Sequence, residues 1–159
     1  MKPWTQDLAN KIAIRVKNKL DISELVKDVN IKGQDLSRAI IKDLHIISQD
    51  ITNTSFFQAQ LGEEGKITSF INSNLQDCNF GRTKFLGRVL MHNCDARRTN
   101  FRNAFFPDAE YKMTDFRGAT FCHCVMKIGT EEGAGCKFDL QFFRDLTKMW
   151  KVKVNVTEE

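Results

Sequence analysis

The side chains that could do chemistry in this chain are few: three histidines, five cysteines and a group of arginines between residues 82 and 117. Cys122-His123-Cys124 is the densest ligand cluster. A closed zinc site needs four ligands, however, and no second pair lies nearby in the sequence. An odd number of cysteines (Cys78, Cys94, Cys122, Cys124, Cys136) in a chain of 159 residues argues for reduced, packed thiols over a disulfide framework. His45, His92 and His123 fall on scattered positions, and their spacing yields no nucleophile–base pair. Gly62 and Gly65 bracket Glu63 and Glu64, which would repel a phosphate. The chain is read as non-enzymatic, with no catalytic, cofactor-binding or metal-binding residue assigned. What remains is binding chemistry. Arg82, Arg97, Arg98, Arg102 and Arg117 could hold an acidic partner or phosphate if the fold gathers them.

The elements that would position these groups follow a period of five. Residues 99–121, TNFRNAFFPDAEYKMTDFRGATF, place Phe101, Phe106, Tyr111, Phe116 and Phe121 five apart. A helix repeats at 3.6 residues and a strand at two, so neither explains this spacing. Backward the series runs through Ala96 and Met91, and forward to Met126. One extra residue near Leu86–Arg88 leads to Phe85, Phe80, Leu75 and Phe70. Four extra residues around Gly62–Lys66 lead to Leu61, Phe56, Ile51, Ile46, Ile41, Leu36 and Ile31. Every position except Ala96 is large and apolar.

Two residues before most of these stands a small one, such as Thr54, Cys78, Thr83, Thr99, Ala104 or Ala119, which suits a tight interior corner. The residue immediately before is often Asp, Asn or Ser, whose side chains stabilise turns. TNFRN, TDFRG, SNLQD and CNFGR carry the pattern most clearly. Over residues 29 to 128 it resembles the pentapeptide-repeat family. That resemblance implies an all-β solenoid, a right-handed quadrilateral β-helix with five residues per side and about twenty per coil.

Elementary geometry agrees. Each side turns one large and one small residue inward, and four sides bring the chain back above itself at about 4.8 Å, the strand spacing. The predicted interior columns are Ile31–Ile51–Leu75–Ala96–Phe116, Leu36–Phe56–Phe80–Phe101–Phe121, Ile41–Leu61–Phe85–Phe106–Met126 and Ile46–Phe70–Met91–Tyr111. Phe56, Phe80, Phe85, Phe101, Phe106, Tyr111, Phe116 and Phe121 are thus structural core, not a platform for stacking bases. Ala96 is a thin layer where a local cavity or inward shift is expected.

Open solenoid ends need covers. Residues 1–28 are read as an N-terminal helical cap, with Trp4, Leu8, Ile12 and Val16 at helical spacing and Thr5 or Pro3 at its start. Residues 29–128 form the solenoid. Residues 129–159 comprise a Gly-rich link, an amphipathic helix over DLQFFRDLTKMW with Asp139 as N-cap, and an alternating tail, KVKVNV, suited to pairing within the chain or across a homodimer.

Composition sets the outer limits. Hydrophobic residues make up 42% and charged residues 28%, ordinary values for one folded domain. No stretch approaches the roughly 20 apolar residues of a membrane span, and the N-terminal segment lacks a signal peptide's apolar core. No membrane association and a cytoplasmic location are expected. The net charge of +4 divides as +3 over residues 1–33, +2 over 34–128 and −1 over 129–159.

Two outward surfaces stand out as partner candidates. Arg97 and Arg117 share a column, Arg98 lies beside them, and Arg82 and Arg102 lie on the next side. A column of Asp50, Asn74, Asp95 and Asp115 two residues away would convert the first group into a solvated salt ladder. The second surface is apolar, with Phe105 over Val125 and Leu86 over Pro107, and the C-terminal helix is the first candidate to cover it.

The leading function is a non-enzymatic scaffold that binds an unidentified protein partner. The quinolone-resistance branch of the family implies an alternative, contact with DNA gyrase or topoisomerase. Its members resemble duplex DNA in negative charge, whereas this solenoid is +2 and its Asp column has three carboxylates, so a loop such as residues 62–66 is the better candidate for such contact. Nucleic-acid binding through the arginine faces is the third reading, and the less favoured one.

Overall fold

The computed structural model describes residues 1–125 and, beyond them, the backbone of two short strands at 127–128 and 153–154. Met126, the Gly-rich link and the helix expected over DLQFFRDLTKMW lie outside the described residues.

Helix α1, Gln6–Lys17, opens the fold, and the Thr5 hydroxyl accepts the Leu8 N–H at 3.2 Å as its N-cap. Ile12 is buried against the solenoid, with Trp4, Leu8 and Val16 packed around it. A single turn, α2 (Ser23–Val26), follows. Strand pairing begins below residue 29, since Asp21 bridges Ile40 and the Ile22 N–H bonds the Ile40 carbonyl at 2.9 Å.

From there the chain climbs as a parallel β-solenoid with four walls, each a ladder of hydrogen-bonded rungs. The first wall carries the bridges Asp50–Asn74–Asp95–Asp115, and the second Asp35–Ser55–Asn79–Asn100–Thr120. The third is the sheet of β1 (Ile40–Ile41), β3 (Gln60–Leu61) and β5 (Lys84–Phe85), continued upward by the bridges Lys84–Phe105–Val125. The fourth is the sheet of β2 (His45–Ile47), β4 (Ile67–Ile71), β6 (Arg88–His92) and β7 (Asp108–Lys112). Its register pairs Ile46 with Phe70, Phe70 with Met91 and Met91 with Tyr111. A separate two-stranded sheet pairs β8 (Lys127–Ile128) in parallel with β9 (Lys153–Val154) of the same chain.

Every described residue of the five-residue series is buried, Ala96 included, and so are the small corner residues from Ala39 to Cys124. Within the second wall, Phe56, Phe80, Phe101 and Phe121 stack nearly parallel, with centroids 4.9, 5.4 and 5.1 Å apart. Phe85 and Phe106 stack likewise at 4.5 Å on the third. Rings from neighbouring walls mostly meet edge to face, as Phe101 does with Phe116 above the Ala96 layer, while Phe80 and Phe85 are tilted by 35°. The core is an aromatic column.

The corners are β-turns. On the first and second walls the large residue accepts, at its carbonyl, the N–H of the residue three positions on, as from Thr83 to Phe80 at 3.1 Å and Ala104 to Phe101 at 3.0 Å. The residue two after the large one lies in the left-handed region on three of the four walls. Arg38, Asn53, Gln58, Asp77, Arg82, Arg98, Asn103, Met113 and His123 all have φ between 51° and 62°, and Gly33 and Gly118 join them at 70° and 75°. A type II turn asks for this conformation at its third residue.

The corner after the third wall is built differently. The four-residue insertion forms a loop over residues 62–66 that rests on Gly87 one coil higher. A Cβ at Gly87 would lie 2.2 Å from the Lys66 carbonyl oxygen and 2.5 Å from that of Glu63. Lys42 and Lys66 both clamp the Glu63 carboxylate, at 3.1 and 2.9 Å.

Candidate functional site

Four walls display four kinds of surface, and the arginines divide between two of them. On the first wall, Arg97 grips Asp95 through Nε and Nη2 at 2.9 and 2.7 Å, and Arg117 grips Asp115 in the same way at 2.9 and 2.6 Å. Arg98 spans one coil down to Asp77, at 2.8 and 2.7 Å, and also bonds Gln76. The guanidinium beside Asp77 holds that carboxyl below the usual carboxylate range. These forks are the strong form of the interaction, and they spend both charges. The Asp column is spent too, since Asp50 bonds Lys32 at 2.6 Å. The first wall therefore offers neither a row of available cations nor a row of available carboxylates.

Arg82 and Arg102 on the second wall differ. Neither has a carboxylate partner or a side-chain hydrogen bond among the described residues. They flank an open groove of about 450 Å³ whose other lining residues are Phe57, Gly81, Asn100, Asn103 and His123.

The apolar candidates gather at the corner between the third and fourth walls. Leu86 is 38% exposed and Phe105 41%. Pro107 lies on the rung above Leu86, and Val125 bridges Phe105 from above. Sequence reading missed a further member, Ile67, 47% exposed at the start of β4. Ile67, Leu86 and Pro107 line one depression of about 420 Å³ together with Gly65, Lys66, Gly87, Arg88 and Asp108. The signal was present in the apolar start of ITSFI, but the four-residue insertion hid its register.

The fold also assembles a contact that spacing did not reveal. His45 and Ser69 are paired across β2 and β4, and His45 Nδ1 lies 2.6 Å from Ser69 Oγ. His45 Nε2 lies 3.1 Å from the Asp43 carboxylate. A serine, a histidine and an aspartate in line resemble a nucleophile relay. Ser69, however, is only 4% exposed, and its N–H is bonded to the Leu44 carbonyl. The contact is a cross-strand polar tie in which the hydroxyl has no access to a substrate.

His92 belongs to a charge cluster on the same wall. Glu110 receives Lys112 and Arg88, each at 2.7 Å, and its Oε1 lies 3.0 Å from His92 Nε2. Hydrogen bonding from Lys112 is the largest cause holding the Glu110 carboxyl below its ordinary range, and His92 and Arg88 add to it. Among the described residues no group of three or more His, Cys, Asp or Glu side chains is arranged to hold a metal ion. Cys78, Cys94 and Cys124 are buried corner residues whose thiols face the carbonyls of Ile51, Phe70 and Phe101 one coil below. No described helix is long and apolar enough to cross a membrane.

Five-residue sides, a large residue and a small one inward on each, and parallel ladders on four walls make the fold a four-walled parallel β-solenoid of five-residue repeats. No protein-family model matches it, and no curated protein is similar to it in sequence. Among solved structures it is similar to Rfr23, a pentapeptide repeat protein from the cyanobacterium Cyanothece 51142. There the identity is 12%, 84% of this chain and 97% of that one are covered, and the TM-score is 0.45. It is also similar to a pentapeptide repeat protein of the Arabidopsis thaliana thylakoid lumen, at 17% identity over 61% of this chain and 68% of that one, with a TM-score of 0.24. A third is QnrB1, a plasmid-mediated fluoroquinolone resistance protein, at 12% identity over 74% and 87%, with a TM-score of 0.23.

Proposed function

We propose that this chain is a non-enzymatic interaction module of the cytoplasm whose contact surface for another protein is the apolar corner formed by Ile67, Leu86, Phe105 and Pro107. The observation that supports it is the exposure of three large apolar side chains on walls whose backbone is fixed by ladders on both sides. Apolar side chains clustered on an otherwise polar surface mark contact sites, and a rigid support lowers the ordering cost of binding. Lys66, Arg88 and Asp108 supply a polar rim. The partner this surface suits is a folded protein presenting an apolar strip. The first-wall arginines take little part, being held by Asp95, Asp115 and Asp77.

The test is affinity capture from the source organism's lysate at low and high salt, with the retained proteins identified by mass spectrometry. Wild type and an Arg97→Gln variant should retain the same protein at both salt concentrations, and a Leu86→Ser, Phe105→Ser double variant should lose it. Light scattering of the purified chain separates a second copy of itself from a foreign partner. Retention undiminished in the double variant, or recovery of nucleic acid alone at low salt, overturns the proposal.

A further inference from the structure

The groove on the second wall carries a different proposal, one that does not rest on the protein-contact reading. Its three upper rungs, residues 79–82, 100–103 and 120–123, contain no carboxylate. The nearest acidic corner, Asp77, is already occupied by Arg98. Arg82 and Arg102 lie on adjacent rungs, the Arg82 N–H bonding the Arg102 carbonyl at 2.8 Å. Both bring full positive charges with no counter-charge among the described residues, whereas the three first-wall arginines each hold a carboxylate.

The floor between them is bare backbone. Gly81 occupies a column where the adjacent rungs carry Phe57 and Arg102. A Cβ there would lie 3.0 Å from both Asn79 Oδ1 and Asn100 Nδ2 and 3.2 Å from Phe57 Cδ2. Asn100 is fixed by its own ladder, donating to Asn79 Oδ1 at 2.9 Å while the Thr120 hydroxyl meets its Oδ1 at 3.1 Å. The Gly81 N–H is turned onto Asn79 Oδ1 at 2.9 Å. The hollow is thus held open by satisfied polar groups, with a half-buried aromatic ring at one end and two guanidiniums at the other.

We infer that this groove binds a phosphate monoester, its dianionic phosphate held by Arg82 and Arg102 and its organic group lying against Phe57. Two unpaired guanidiniums match two negative charges better than the single charge of a carboxylate. A nucleic acid strand would need a track of cations along several phosphates. The wall supplies one pair, and the arginines that would extend it are spent on aspartates. A volume of about 450 Å³ suits a small organic phosphate.

The test is titration of the ¹⁵N-labelled chain with phenyl phosphate, inorganic phosphate, benzoate and a single-stranded oligonucleotide. Phenyl phosphate should give saturable shifts at the Gly81 amide and at the Arg82 and Arg102 Nε–H signals, leaving Arg97, Arg98 and Arg117 in place. Arg82→Gln and Arg102→Gln should each weaken it about tenfold, as expected when one arm of a charged fork is lost, with the melting temperature unchanged. Phe57→Leu should lower affinity for phenyl phosphate and leave inorganic phosphate unaffected. Equal affinity for the two phosphates, benzoate binding as tightly as phenyl phosphate, or shifts unaffected by the two substitutions would overturn the inference. So would an oligonucleotide that binds more tightly and moves the first-wall arginines as well.

Discussion

Thr83 Oγ1, at the corner between the second and third walls, donates a hydrogen bond of 2.6 Å to the carbonyl oxygen of Phe56, the large residue of the second wall one coil below. The relationship repeats up the molecule, from Thr54 to Ile31 at 2.7 Å, Thr99 to Leu75 at 2.8 Å and Thr114 to Met91 at 2.9 Å. Each carbonyl also receives a turn N–H or a ladder bond, so the hydroxyl fills its second lone pair in a place water cannot reach. Thr83→Val keeps the shape and removes the donor. It should lower the unfolding free energy by about 1 kcal/mol, read from the urea midpoint at constant slope.

Phe80 is stacked between Phe56 and Phe101 and meets Phe70 edge-on at 5.6 Å. Its removal takes contacts from four rings, Phe85 at 6.0 Å among them, whose backbones the ladders hold in place, so the walls cannot collapse inward. Phe80→Ala should cost about 3–5 kcal/mol, the range for emptying an aromatic core site. A loss below about 1 kcal/mol in urea unfolding would mean that the column relaxes.

Met113 has φ 51° and is 64% exposed, so its side chain contributes little that offsets a left-handed backbone. Asn tolerates this conformation and β-branched residues do not. Met113→Asn should stabilise by about 0.5–1 kcal/mol and Met113→Val should destabilise by at least as much. The order Asn, Met, Val in melting temperature is the result to look for.

Burial pushes the Cys78 thiol up to about 12. Since the thiolate is the nucleophile, Cys78 should resist iodoacetamide at pH 8 for as long as the coil stays closed. Cys122 is only half-buried. In a Cys136→Ser background, mass spectrometry should find Cys122 modified first and Cys78 modified only after unfolding in urea. Raising the pH from 7 to 9 should leave Cys78 protected, because both values lie far below the pH at which its thiol ionises.

Much of the architecture was legible because inward positions obey one strict period. A large side chain every five residues places each wall, and the two insertions shift the count without breaking it. The left-handed corner column was not legible. Asn53, Asn72, Asn93, Asn103 and the glycines are types that favour such a backbone, but Arg38, Arg82, Gln58, Met113 and His123 occupy the same position and give no local signal. The ladders impose the turn there, against the residues' own preference. The Ser69–His45 contact was hidden for a different reason: its partners are set side by side only once the loop over residues 62–66 is looped out of register. The arginine forks were half-legible. The Asp95–Arg97 and Asp115–Arg117 spacings suggested them, whereas Arg98 with Asp77 required the height of one coil.

Gly87, one coil above the Glu63–Lys66 loop, ties two events in the history of this sequence together. The insertion in one coil and the glycine in the next form a single structural feature, because the carbonyls of Glu63 and Lys66 occupy the space any other residue at 87 would need. A lineage that lost the loop would free position 87 to vary, and one that lost the glycine would first have to move the loop. Substitutions at 87 and length changes at 62–66 are therefore expected to change together among descendants of this chain, as a linked pair separated by one turn of the solenoid.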